Sequence, residues 1–140
     1  MADSCIFCRI VRGEIPAAVV ARDAHAVAFL DVTPLADGHV LVVPTGHAPL
    51  VEDLTPDAAA GLFAMVARLA GPVRKALGGA GTTIGVNDGR VTGQTVPHVH
   101  VHIVPRWEGD GAGSIHSMFR PAPTLGVEAA AAKIRAALGS

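Results

Sequence analysis

The chain has 140 residues, half of them hydrophobic, with 16% charged residues and a formal net charge of -1. That length fits one domain over 1–140 with a sizeable core, and the near-balanced charge with no Lys/Arg run argues against a nucleic-acid surface or an acidic tail. No stretch approaches the roughly 18 apolar residues of a membrane span, and Met1–Cys5 has neither a basic start nor an apolar run, so a cytoplasmic protein without membrane contact is expected.

Ser4 is placed to cap a helix over Cys5–Arg12 that Gly13 ends. Ala18–Ala21 and Val27–Leu30 read as strands, with Arg22–His25 as the hairpin turn between them. Val40–Val43 is an apolar strand stopped by Pro44. The longest helix opens at Thr55-Pro56-Asp57, carries Leu62, Met65, Val66, Leu69, Val73 and Leu77 at helical spacing, has Pro72 as a potential kink, and ends at Gly78-Gly79. Thr82–Asn87 and His98–Val104 are expected strands around a glycine-containing loop, Asp88–Thr95. Val127–Leu138 is a closing helix. Tight turns favour antiparallel pairing, so the expected class is α+β: a five-stranded antiparallel sheet with one long helix, shorter terminal helices, and the helices on one face.

His98-Val99-His100-Val101-His102-Ile103-Val104 is the most informative segment. Strand alternation puts the three imidazoles on one face and Val99, Val101 and Ile103 on the other. Each imidazole carries a desolvation cost and titrates near neutrality, so three in a row point to function. Two chemistries fit: a His-rich metal site with water as nucleophile, and nucleophilic attack by a neutral imidazole. The preceding loop favours the second. Asn87-Asp88-Gly89 and Gly93-Gln94-Thr95 combine glycine freedom with backbone and side-chain donors suited to a phosphate-sized anion.

These residues resemble the histidine-triad (HIT) family, whose signature of alternating His and apolar residues is complete here from His98 to Val104. The similarity extends through Asn87-Asp88-Gly89, Gly93–Val96, Pro105-Arg106, Ala28–Asp31 and Gly38–Pro44, so that it covers most of the chain from the cysteines to about Gly113. The resemblance implies a five-stranded sheet with a long helix and a homodimer. It also implies a two-step reaction on a nucleotide, in which His100 attacks the α-phosphorus and water then releases the nucleoside monophosphate. His102 would bind phosphate oxygens and His39 would support the triad. Gln94 and Thr95 with loop amides would stabilise the transferring phosphoryl group, and Gly93 would belong to that cradle. Asp31 would take ribose hydroxyls, Phe29 would face the base, and Asn87 would contact ribose or phosphate. A histidine at the third triad position favours hydrolysis over transfer. A purine-nucleotide phosphoramidase is the leading expectation, with a dinucleoside polyphosphate hydrolase or a non-catalytic nucleotide-binding scaffold as alternatives.

Cys5 and Cys8, at i and i+3, share one helix face. A tetrahedral zinc needs two more ligands. Bacterial members of the family and the related hexose-phosphate uridylyltransferases resemble an arrangement in which two cysteines and two histidines surround a structural zinc. Cys5, Cys8, His47 and His98 are the expected ligands here. His25, His116 and Trp107 lie outside the matched motif.

Overall fold

The computed structural model describes residues 2–139, which divide into two compact units, one through Asp110 and one from Gly111 onward. In the first unit, strands β1 (Val19–Arg22), β2 (Ala26–Leu30), β3 (Val40–Pro44), β4 (Gly81–Gly85) and β5 (Val101–Arg106) form one sheet in the order β1-β2-β3-β5-β4. All four ladders are antiparallel, as expected, although only β1 and β2 are joined by a tight turn. The helices are α1 (Ile6–Val11) and α2 (Pro56–Ala76). The second unit holds a 3-10 turn over Ile115–Met118 and α3 (Val127–Ala137).

The central strands carry apolar residues on both faces, and each face has its own core. Ala26, Ala28, Val40, Val42, Val99, Val101 and Ile103 pack with Leu62, Met65 and Val66 of α2. Val27, Phe29, Leu41 and Val43 pack with Cys5, Phe7, Cys8 and Ile10 around α1. The expectation of helices on a single face is therefore corrected: β2 and β3 are buried without alternation, and α1 covers the face opposite α2.

Several local boundaries also differ. The cap of α1 is Cys5, whose Sγ accepts the Cys8 N–H at 3.5 Å, while Ser4 belongs to a 3-10 turn before it. Thr55 caps α2 through the Ala58 N–H as expected, and the helix continues through Pro72 to Ala76. Strand β4 starts and stops one to two residues earlier than its apolar pattern suggested.

The larger difference is in β5. It begins at Val101 and runs through Pro105, whereas the sequence pattern placed a strand over His98–Val104. The Asp31 N–H donates to the His39 carbonyl and the Thr45 N–H donates to the His25 carbonyl, so the backbone groups of odd residues in this stretch face β2 and those of even residues face β5. Residue 44 would thus donate toward position 99, and proline has no N–H. The β3–β5 ladder accordingly stops at the pair Val42 and Val101. The Val99 N–H goes instead to the Ala48 carbonyl, 2.8 Å away. Pro105 is tolerated because its missing donor would face β3 beyond that strand's last pair, Val40 and Ile103.

Candidate active site and metal centre

The alternation of the histidine segment survives outside the regular ladder. Val99, Val101 and Ile103 enter the α2 core, and the three histidines stand on the α1 face. They do not form one row with one purpose. His98 turns to the cysteines, and His100 and His102 turn to a cleft.

Hydrogen bonds to the backbone assign the tautomers. A carbonyl can only accept, so the His100 ring, 2.8 Å from the His98 oxygen through Nδ1, carries its proton there. In the neutral ring Nε2 is then the bare lone pair. The Leu35 N–H can only donate, so His39 Nδ1 accepts it at 3.0 Å. Burial pushes the His39 pKa down, which keeps the ring neutral and puts its proton on Nε2. That N–H donates to His102 Nδ1 at 2.9 Å. His102 is held near pKa 4, first by burial and then by His100 and His39, so it too is neutral and its proton is on Nε2. That atom is buried and has no partner among the described residues. Two histidines thus meet the cleft in opposite roles: His100 offers a lone pair, and His102 offers a donor.

Asp31 Oδ2 lies 3.7 Å from His39 Nδ1, within ion-pair distance. An ion pair would need His39 protonated, against the direction in which burial moves it, and Nδ1 already accepts from Leu35. The contact is therefore two acceptors side by side. Asp31 Oδ1 accepts the Thr33 N–H at 2.9 Å in an Asx turn, and Asp31 also lines the cleft. Asp31, His39 and His102 are close enough to hold a metal by distance alone. Their facing nitrogens are occupied by each other and by Leu35, which argues against the metal-on-triad reading.

The cleft measures about 320 Å³. Phe29, Asp31, Thr95, Val96, His100 and His102 form part of its wall, and α1 supplies Ile6, Phe7 and Ile10. Phe29 is almost fully buried and packs edge-on against Phe7, with ring centroids 5.6 Å apart, so it is both core and cleft floor. Phe7, which nothing in the motif pointed to, also packs edge-on against His100 at 5.1 Å. The signal for it was its place between the two cysteines.

The glycine loop is arranged differently from expectation. Gln94 is not aimed at the cleft. Its Oε1 accepts the Gly89 N–H at 2.7 Å, and its Nε2 donates to the carbonyls of Pro49 and Val96 at 2.8 and 3.0 Å. It braces the loop. The N–H groups of Gly89, Thr92 and Gly93 are closed within that loop or onto Gln94. The amides of Thr95 and Val96 have no partner among the described residues and belong to cleft-lining residues, so the anion cradle is shorter than the sequence suggested. Gly93, at φ +100°, makes the turn that delivers them. Asn87 and Gly93 do not line the cleft.

Cys5, Cys8, His47 and His98 come together with their ligand atoms within 4.8 Å of one another. Cys8 Sγ lies 3.3 Å from His47 Nδ1 and 3.5 Å from His98 Nδ1, and Cys5 Sγ lies 3.5 Å from His98 Nδ1. Ligand atoms of a tetrahedral zinc, with bonds of about 2.0–2.3 Å, are separated by about 3.3–3.8 Å. His98 donates through Nε2 to the Pro44 carbonyl at 3.0 Å, which leaves Nδ1 bare and facing both sulfurs. Burial and the neighbouring Cys5 push the Cys8 thiol up to about 11. The donor set, spacing and tautomer all fit a metal with four protein ligands.

A HIT domain family model matches residues 12–109. The chain is 41% identical over 103 residues to an adenosine 5'-monophosphoramidase of Schizosaccharomyces pombe, covering 74% of each chain. Its fold is similar to a HIT family protein from Bacillus anthracis, with TM-score 0.84 and 33% identity over 99% of this chain and 97% of that one. It is also similar to a zinc-bound histidine triad family protein from Mycobacterium smegmatis, with TM-score 0.76 and 38% identity over 88% of this chain and 86% of that one. The motif, the five-stranded sheet and these likenesses agree: the chain belongs to the histidine triad, or HIT domain, family.

Proposed function

We propose that the protein hydrolyses a purine-nucleotide derivative at its α-phosphate through a covalent nucleotidyl-His100 intermediate. The observation that carries this reading is the pair of opposed tautomers at the cleft: the Nε2 of a neutral His100 ring, whose proton is on Nδ1, beside a His102 Nε2–H that lacks a partner among the described residues. His100 Nε2 attacks the α-phosphorus, a P–N bond forms, and the bond to the leaving group breaks with its electron pair departing on that group, which is then protonated. Water attacks the same phosphorus, the P–N bond breaks, and the nucleoside monophosphate leaves with His100 restored. The His102 N–H and the amides of Thr95 and Val96 meet phosphoryl oxygens as charge grows on them. Thr95 supplies a hydroxyl at the same wall, Asp31 Oδ2 takes ribose hydroxyls, and the apolar cleft takes the base.

In the same reading Cys5, Cys8, His47 and His98 hold a structural zinc. With four protein ligands such an ion fixes geometry and leaves no open position for water. The relative named as a monophosphoramidase supports an amidate as substrate. We also propose a homodimer, which light scattering checks.

The test is release of adenosine monophosphate from adenosine 5'-phosphoramidate by wild type and His100→Ala, each with and without chelator, plus intact mass of quenched wild type. Chelator-resistant turnover that needs His100, with a nucleotidyl adduct in the mass spectrum, is expected. Turnover that survives His100→Ala would remove the covalent route. Loss on chelation without any adduct would favour a metal-activated water.

A further inference from the structure

A second cleft, of about 410 Å³, adjoins the first, and Thr95 lines both. Arg90, Gly89, Pro49, Leu50 and Pro97 form most of its remaining wall. The Arg90 side chain has no hydrogen bond or ion pair among the described residues. Asp88, two residues before Arg90, and Asp53, three after Leu50, are turned to backbone work: Asp88 Oδ1 accepts the Val51 N–H at 2.8 Å and Asp53 Oδ2 accepts the Leu50 N–H at 3.0 Å. None of Asp88, Asp53 and Glu52 lines the cleft. The wall therefore offers an uncompensated guanidinium on a loop that is rigid beneath it. Thr92 Oγ1 donates to the Gly89 carbonyl at 2.7 Å, and Gln94 ties Gly89 to Pro49 and Val96.

We propose that this second cleft is a leaving-group subsite and that Arg90 selects leaving groups that carry an oxyanion, with a nucleoside phosphate as the best fit. The proposal rests on the nucleotidyl-His100 reading above. A phosphoryl group cradled at Thr95 has the nucleotide cleft on one side and this cleft on the other. Cleavage breaks the bond from the α-phosphorus to the bridging oxygen, whose electron pair and charge pass to the group on the Arg90 side. A guanidinium there meets terminal oxygens with a planar pair of donors and offsets the charge released by bond breaking. An ammonia-sized leaving group would leave such a cleft empty, whereas its volume falls in the range of clefts that hold small organic ligands, about 300–1,000 Å³.

The test compares kcat/KM of wild type, Arg90→Ala and Arg90→Lys on three adenylyl substrates: the 5'-phosphoramidate, adenosine 5'-phosphosulfate, and diadenosine tetraphosphate. Arg90→Ala is expected to lose roughly ten- to a hundredfold on the two anionic substrates, the scale of one charge-assisted hydrogen bond, and less than about twofold on the phosphoramidate. Arg90→Lys should recover part of the loss. A loss confined to diadenosine tetraphosphate supports the subsite and assigns it to the larger group. An equal loss on all three, or none on any, overturns the assignment while leaving the nucleophile intact. Absence of turnover of all three by wild type overturns the nucleotidyl-His100 reading, and this assignment with it.

Discussion

The carbonyl of His98 accepts the Nδ1–H of His100 at 2.8 Å, while the His98 ring faces Cys5 and Cys8 through its own Nδ1. One residue thus holds the proposed nucleophile with its backbone and the proposed metal centre with its side chain. Phe7 repeats the link, since it sits between the two cysteines and packs on the His100 ring. Cys8→Ser is therefore expected to lower zinc content, lower the melting temperature, and reduce kcat/KM by on the order of ten- to a hundredfold without abolishing it. Metal analysis, thermal melts and kinetics on the same preparation check this. Full activity in a zinc-free, folded variant would break the link.

His39 is 1% exposed, and its two nitrogens bridge Leu35 and His102. His39→Leu should leave the Leu35 N–H without its acceptor, which costs about 1–3 kcal/mol. It should also release the tautomer of His102 and lower kcat far more than it raises KM. Denaturant unfolding and steady-state kinetics separate the two effects. A purely structural role would reduce stability with kcat per folded molecule unchanged.

Burial holds His102 near pKa 4, and lowers His39 and His98 as well, against an unfolded value of about 6.5. Between those limits the unfolded chain binds protons that the folded chain refuses. The stability from these neutral rings is complete above about pH 6.5 and is lost as pH falls toward about 4. Urea midpoints should fall from pH 7 to pH 5, and fall less in His102→Gln. An equal fall in both would remove His102 as a contributor.

Gln94 makes three hydrogen bonds, to Gly89, Pro49 and Val96, and does not line the first cleft. Gln94→Glu should keep the acceptor for Gly89 and set a carboxylate against two carbonyls. A loss of about 1–3 kcal/mol and faster amide exchange at Gly89 are expected. A direct phosphate ligand would show the opposite balance, with unchanged stability and a large rise in KM.

In the proposed reading the base meets Ile6, Phe7, Ile10 and Phe29, whose side chains have no polar atoms to read base edges. Adenosine and guanosine phosphoramidates should differ in kcat/KM by less than about tenfold. A preference above about a hundredfold would mean that backbone groups read the base.

Elements written in local patterns were legible. Thr55-Pro56 opens α2, the apolar runs become β2 and β3, and the Val/His alternation sorts its two faces correctly. The four residues that the family resemblance implied as a ligand set, Cys5, Cys8, His47 and His98, do come together. What depended on distant partners was not. The loop glutamine looked like a donor to substrate, but Pro49, far away in sequence, takes its hydrogen. Phe7 had no motif of its own. Placement of α1 on the second sheet face followed from β2 and β3 being apolar on both sides, a pattern that identifies burial without naming the partner.

Pro44 gives a last consequence. Had residue 44 carried an N–H, the sheet could have zipped on toward position 99, and the carbonyls near the strand ends would have been drawn into ordinary pairing. The proline withholds one donor. Its own carbonyl becomes the anchor of the His98 ring, and the His98 carbonyl, just past the interruption, becomes the anchor of His100. The proposed nucleophile is thus anchored where the sheet is left incomplete. Selection for a more regular sheet would favour a sturdier molecule and a worse enzyme.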